Sequence, residues 1–282
     1  MSLRKKLSEL NRRRKERRRA TSAPAAAAPQ VRIPDCREVG MRDANLCGWF
    51  NQETAELFTG FPIVEGDVFV DVGCGDGGMS MFSARNGAKV TLVDVNPSSL
   101  QASLERVNNE NRHPARALLS DGDRLPIEDA FADKVISTEV LEHVDCPKTF
   151  LSELVRIGKP GALYLLAVPD PVAEEIQTHV APAASFQKPN HIRIIGREEF
   201  GQMVTDAGLT IVKRDSYGAF WGIFNTFLWS CNTEFDKPDH PILNHWTQAW
   251  HEVLNLPDGQ KLQRLLNNVI PKSQVIIAMK PR

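Results

Sequence analysis

Three glycines, Gly73, Gly75 and Gly78, follow Asp71 closely, and Asp94 lies 21 residues beyond the first of them. Glycine accepts positive φ and lets a ligand come close to the backbone. The first amides of a helix after such a turn can hold a bound polar group. The spacing is the G-x-G-x-x-G pattern of nucleotide cofactors. A carboxylate at Asp94 can accept from both hydroxyls of a ribose. NAD and S-adenosylmethionine both carry that ribose, so Asp94 does not separate them. Asp71 does. A buried acid is costly unless paired, and it can organise the loop amides around a group that carries an ammonium. A pyrophosphate gains little from a neighbouring carboxylate. Charge therefore tilts the site toward S-adenosylmethionine.

Transfer to a hydroxyl needs a group that takes its proton, whereas an amine must arrive neutral. His143, next to Glu142, and His191, within Lys188 to Arg193, are the candidates, because imidazole titrates near neutrality. Local packing or capping is the competing reading for each. No His, Asp or Glu cluster has metal-ligand spacing along the chain, which disfavours a metal-assisted mechanism.

The elements that must position these residues alternate. Val68–Val72 reads as a buried strand and Ser80–Asn86 as a helix. Lys89–Val93, Ala115–Leu119, Lys134–Ser137, Leu163–Val168, Leu209–Arg214 and Ser273–Met279 read as further strands. Ser98–Asn109, Pro147–Arg156 and Arg197–Ala207 read as helices between them. Such a series predicts an α/β fold: a seven-stranded, mostly parallel sheet, helices on both faces, and an antiparallel last strand. Arg42–Phe58 reads as one more helix ahead of the core. Two segments are longer than ordinary connections: Pro169–Ile195 and residues 217–268. Both follow strand carboxyl ends, where ligands bind in open sheets. The second is aromatic, with Trp221, Trp229, Trp246 and Trp250 among its rings. It is expected as a helical, substrate-side insertion or as a small core of its own.

The net charge of −1 over 282 residues hides an asymmetry. Residues 1–20 carry ten Lys and Arg against Glu9 and Glu16, while the rest carries 24 basic and 33 acidic residues. Residues 1–35 therefore read as a basic, flexible extension, with residues 36–282 as the catalytic domain. The extension is either solvated or held by an anionic lipid surface, RNA or an acidic partner. The acidic body argues against a broad nucleic-acid surface. Five widely spaced cysteines without a C-x-x-C pair argue for a reducing cytoplasm. No apolar stretch reaches the roughly 20 residues of a membrane span.

Six segments in register resemble the class I S-adenosylmethionine-dependent methyltransferases, in their small-molecule branch. They are Val70–Gly77, Val93–Pro97, Ser120–Pro126, Phe131–Asp133, Val140–His143 and Arg156–Gly161. The resemblance covers about residues 65–215, and residues 217–268 match none of its motifs. Ser120 stands where the family often has glycine, and Ala162 departs mildly in the same way. The resemblance implies that Asp71, Gly73, Cys74 and Gly75 hold the methionine end of S-adenosylmethionine. Asp94 then binds the ribose and Val95 lines the adenine. Asp121 accepts from the adenine amino group, Gly122 gives a backbone contact, and Glu139 lies under the cofactor near the methyl. The implied acceptor is an O or N atom of a small, partly apolar metabolite, with the aromatic insertion as a candidate wall. A nicotinamide-dependent oxidoreductase, a non-catalytic adapter, and a protein or RNA methyltransferase using the tail are the alternatives. The oligomeric state is not set by the sequence.

Overall fold

The computed structural model describes residues 34–110, 113–231, 233 and 238–282. The expected basic extension lies outside the described residues, apart from Pro34 and Asp35. The central sheet contains β4 (Val68–Val72), β5 (Lys89–Asp94), β6 (Arg116–Leu119), β7 (Ala132–Thr138), β8 (Gly158–Pro169), β9 (Thr210–Tyr217) and β10 (Ser273–Met279). Their order is β6-β5-β4-β7-β8-β10-β9. The first five pair in parallel, and β10 runs antiparallel to both β8 and β9. This is the expected seven-stranded topology.

Strand alternation separates two cores, because successive side chains point to opposite faces. Val70, Val135, Leu166 and Ile276 pack with Leu154 and Phe200 on one face. The helices on that side are α4 (Pro147–Ile157) and α6 (Arg197–Asp206). Phe69, Ile136, Leu165 and Ile277 pack with Phe82 and Leu100 on the other. There α2 (Gly78–Arg85) and α3 (Pro97–Asn108) cover the sheet. Pro at the start of α3 and α4 suits the first turn, where its missing N–H costs nothing.

The Arg42–Phe58 helix is not formed as expected. The helix there, α1, spans Cys36–Leu46, with Asp35 accepting from the Arg37 amide at 2.7 Å. Gly48 then turns the chain at φ +100. Three short antiparallel strands follow: β1 (Trp49–Asn51), β2 (Glu56–Phe58) and β3 (Phe61–Pro62). The Asn51 side chain accepts from the Glu53 and Thr54 amides, closing the first turn. Trp49 and Phe58, both within the span expected as a helix, are instead buried cross-strand neighbours 4.8 Å apart. Their burial against the sheet outweighs the local helical pattern. Strand β8 also begins earlier than expected, at Gly158. It passes Gly161 at φ +85, and its register on β7 shifts between Ala132 and Lys134.

Residues beyond β9 form α7 (Ala219–Cys231), α8 (Pro241–Val253) and α9 (Gly259–Val269). Phe220, Phe224, Leu243 and Trp250 make a third core with Val39 of α1. Its polar centre is Asp43, which accepts from Trp250 Nε1 and Gln263 Nε2 at 2.8 Å each. No helix among the described residues is long and apolar enough to cross a membrane.

Candidate active site

The carboxyl end of β4 turns through Gly73, Gly75 and Gly77, at φ +80, +50 and +76. A Cβ on Gly73 would stand 2.2 Å from Cγ2 of Val140, so the loop's close approach requires glycine there. The Gly73 and Cys74 amides donate to Val93 O at 2.8 and 3.0 Å, clamping the loop to the end of β5. Asp94 completes the clamp. Its Oδ2 accepts from the Gly75 amide at 2.9 Å and its Oδ1 from the Asn96 amide at 2.8 Å. Asp71 has a different partner from the expected loop amides: its Oδ2 accepts from Ser80 Oγ of α2 at 2.7 Å. Burial pushes the Asp71 carboxyl up to about 7. Cys74 is buried beside it, and burial likewise raises its thiol.

A cavity of about 600 Å³ opens over this loop. Its wall takes in Gly73, Gly75, Asp94, Val95, Asp121, Gly122 and Glu139 among the expected cofactor residues, and His143 of the two expected catalytic histidines. Asp71 and Cys74 lie beneath the wall. Val95 is exposed, and Asp121 Oδ1 accepts from the Asp123 amide at 3.2 Å. Lys188 and Pro189 come to the wall from the first long segment. Among the described residues of 217–268 none lines the cavity; most of their rings serve the third core.

The far side of the cavity is assembled from distant segments. Glu139 follows β7 at φ +58, in the left-handed region that non-glycine residues seldom adopt. Its Oε2 takes the Lys272 ammonium at 2.5 Å. Burial opposes the charge on Lys272, but Glu139 and then Tyr217 outweigh it and hold its pKa above the ordinary value. Burial, with Glu139 next, also pushes the Tyr217 phenol up to about 12. The turn 140–145 is stitched to the 188–193 segment. The Ile192 amide donates to Glu142 O at 3.0 Å, and Arg193 donates to the carbonyls of Leu141, Val144 and Asp145. Those bonds bring His143 and His191 to a ring separation of 4.8 Å, edge to face. Burial first, and His191 second, lower the His143 pKa. His191 sits behind the wall, with Nδ1 3.0 Å from both oxygens of Glu174. Glu174 belongs to α5 (Pro171–Thr178).

Glu174, Lys272 and Arg193 carry this side, and sequence reasoning passed over all three. No motif surrounds Glu174 or Lys272. Arg193 stood in the His191 segment, but its carbonyl partners could not be read there. His179 is an exposed cap of α5, and His240 caps α8.

A methyltransferase-domain family model matches residues 70–166. The ubiquinone biosynthesis O-methyltransferase of Cereibacter sphaeroides is 30% identical over 178 residues, covering 59% of this chain and 67% of that protein. This chain belongs to the class I S-adenosylmethionine-dependent methyltransferases. The ubiquinone biosynthesis O-methyltransferase of Maricaulis maris is 34% identical over 132 residues, 45% of this methyltransferase and 47% of that one. The methyltransferase thus spans about half the length of the first curated relatives it matches. Among solved structures, geranyl diphosphate C-methyltransferase from Streptomyces coelicolor superposes with a TM-score of 0.52 at 14% identity, over 86% of this chain and 79% of that one. At that identity the likeness speaks for the fold.

Proposed function

We propose that this methyltransferase binds S-adenosylmethionine over the glycine loop and methylates an oxygen or nitrogen of a small, partly apolar metabolite. One observation carries the reading: a single cavity joins the glycine loop and Asp94 at one end to Glu139 and His143 at the other. The residues fit the cofactor. A side chain at Gly73 would collide with Val140, whereas the space over Gly75 is open, so the loop backbone is left bare for a ligand. Asp94 is fixed by two amides, and its remaining lone pairs can accept from ribose hydroxyls. Asp121 and Gly122 stand where an adenine edge would lie, with exposed Val95 against its face. Gly73 and Gly75 would take the methionine end, with Asp71 and Cys74 supporting the loop from beneath. The bound cofactor would supply an electrophilic methyl for direct in-line displacement by the acceptor's lone pair.

This chain's own contribution is positioning and proton handling. Pro189 O fixes the His143 proton on Nδ1, leaving Nε2 free to receive the acceptor's proton. The lowered pKa keeps that imidazole neutral near pH 7. His191 and Glu174 back it. The two relatives are named for O-methylation, which favours a hydroxyl acceptor over an amine. Calorimetry with S-adenosylhomocysteine and with NAD tests the donor half. Saturable binding of S-adenosylhomocysteine alone is expected; tight NAD binding without it would overturn the reading. Methyl-labelled donor offered to matched phenol and amine acceptors then tests the oxygen preference.

A further inference from the structure

Helix α9 is packed inside out. Its buried residues are Gly259, Gln263 and Asn267, the last two only 0% and 4% exposed. Its aliphatic side chains face away, with Leu262, Leu265 and Val269 at 41%, 54% and 65% exposed. Single exposed leucines are ordinary. Three apolar residues at i, i+3 and i+7, beside a buried polar seam, reverse the usual pattern of a surface helix. The seam has a physical reason. Gln263 Nε2 donates to Asp43 O and Oδ1 at 2.8 Å each, and Asn267 Nδ2 donates to Cys47 Sγ at 3.1 Å. Asn267 Oδ1 accepts from the Ala219 amide at 2.8 Å. Hydrogen bonds to α1, to the turn after it and to α7 thus fix α9, and its apolar side is left for another surface.

The helix geometry sorts that side into two flanks. At about 3.6 residues per turn, Leu265 stands at the crest, opposite Gln263 and Asn267. Leu262 and Val269 lie on one flank, and half-buried Leu266 continues them down to the third core. Lys261, Asn268 and Arg264 lie on the other, all exposed. The helix holds no acid. A flat lipid surface meeting the crest would bury Lys261 and Asn268 as deeply as Leu262 and Val269, at a cost in polar desolvation. A rod laid along the apolar flank covers the aliphatic residues and leaves the basic ones at its rim. A second copy joined through the same flank would bring its own Lys261 and Arg264 to that rim, like charge against like.

We propose that the Leu262, Leu265 and Val269 flank of α9 docks an acidic amphipathic helix of a partner protein. Apolar side chains at helical spacing on the partner fill the flank, as in other helix-in-groove complexes. Its carboxylates pair with Lys261 and Arg264, which sets the sign of the partner. No described residue of α9 lines the cavity, so the docking does not depend on the methyl-transfer reading.

The test uses the full-length chain and two fluorescein-labelled helical peptides. Both carry leucines at every third and fourth position; one has glutamates on its other positions and its twin has lysines. Fluorescence anisotropy should show saturable binding of the glutamate peptide, with the lysine peptide at least ~10-fold weaker. Leu265→Glu should weaken the glutamate peptide at least ~10-fold. The double variant Lys261→Glu, Arg264→Glu should lose the preference between the peptides. All three side chains are exposed, so thermal melts matching the wild type are expected and show that the variants fold. Equal affinity for the two peptides in the wild type, or unchanged binding in Leu265→Glu, would overturn the proposal. A dimer in sedimentation velocity that Leu265→Glu dissociates would give the flank to a second copy and overturn it as well. So would flotation with phosphatidylglycerol vesicles that Leu265→Glu abolishes, which would give the flank to a lipid surface.

Discussion

The two ends of the cavity are built by different means. The glycine-loop end is local: residues 71–96 supply most of it, and its decisive bond, Gly75 amide to Asp94, spans 19 positions. It is made largely of backbone, held open by positive φ. The histidine end is made of side chains drawn from β7, α5, the 188–193 segment and β10's leading edge. Its Glu139–Lys272 pair spans 133 positions. They meet at Gly73 and Val140, where the loop packs on the turn that carries His143. The contrast separates what can vary. A backbone cradle tolerates few changes and serves any acceptor chemistry. A side-chain assembly can be rewritten residue by residue around a chosen acceptor.

The largest effect is expected where the two ends touch. Gly73→Ala forces a Cβ to 2.2 Å from a stiff, β-branched neighbour at φ +80. The left-handed backbone alone costs about 1–2 kcal/mol, and the collision displaces the loop. S-adenosylhomocysteine affinity should fall more than ~100-fold by calorimetry while the circular dichroism spectrum stays native. An unchanged affinity would detach the loop from the cofactor.

Asp71 gives the next largest effect, and its sign can be worked out. Burial, only partly offset by Ser80, raises its pKa in the fold to about 7, against about 3.9 unfolded. Its contribution to stability is fully present below the unfolded value and is lost as pH rises through about 7. Linkage makes that loss on the order of 2–4 kcal/mol across the window. Asp71→Asn can still accept from Ser80 and does not titrate. Urea unfolding of wild type and variant at pH 4.5 and 8 should therefore show the wild type losing this much more. Parallel curves would show Asp71 ionised throughout.

The same contrast explains what was legible in the sequence. Glycine spacing and acid-ended apolar strands are local signals, so the sheet and the grouping of the glycine loop with Asp94 at one end of the cavity followed from them. The sheet's carboxyl edge followed too, and with it the placement of both long segments: Ser273 pairs with Pro169 on one side and Tyr217 on the other. The Arg42–Phe58 span misled, because rings such as Trp49 that suit a helix also suit paired strands, and only Gly48 marked the break. Glu142, His143 and His191 could not be grouped, since 48 residues separate the histidines along the chain and Arg193 draws them together through backbone carbonyls. No spacing rule encodes a contact of that kind.

Lys272 tests whether the histidine end depends on its charge balance. Lys272→Met strips the partner from Glu139, whose Oε1 is already buried without one. Both side chains keep more than a quarter of their exposure, so solvent screens the loss and about 1–2 kcal/mol is expected. Adding Glu139→Gln should recover about half of it, read as coupling in a double-mutant cycle by urea unfolding. Strict additivity would reduce the pair to a surface contact.

Val95 offers the smallest effect and the sharpest check on what lies over the loop. Its side chain is 68% exposed at the cavity wall, an apolar surface that a planar base would cover. Valine to alanine removes roughly 40 Å² of that surface, about 1 kcal/mol at 25 cal/mol per Å². Val95→Ala should therefore weaken S-adenosylhomocysteine about fivefold, and adenosine alone by the same factor, since the methionine end does not reach it. A larger loss for S-adenosylhomocysteine than for adenosine would mean that Val95 shapes the loop itself. The two ends of the cavity would then be less separable than their construction implies.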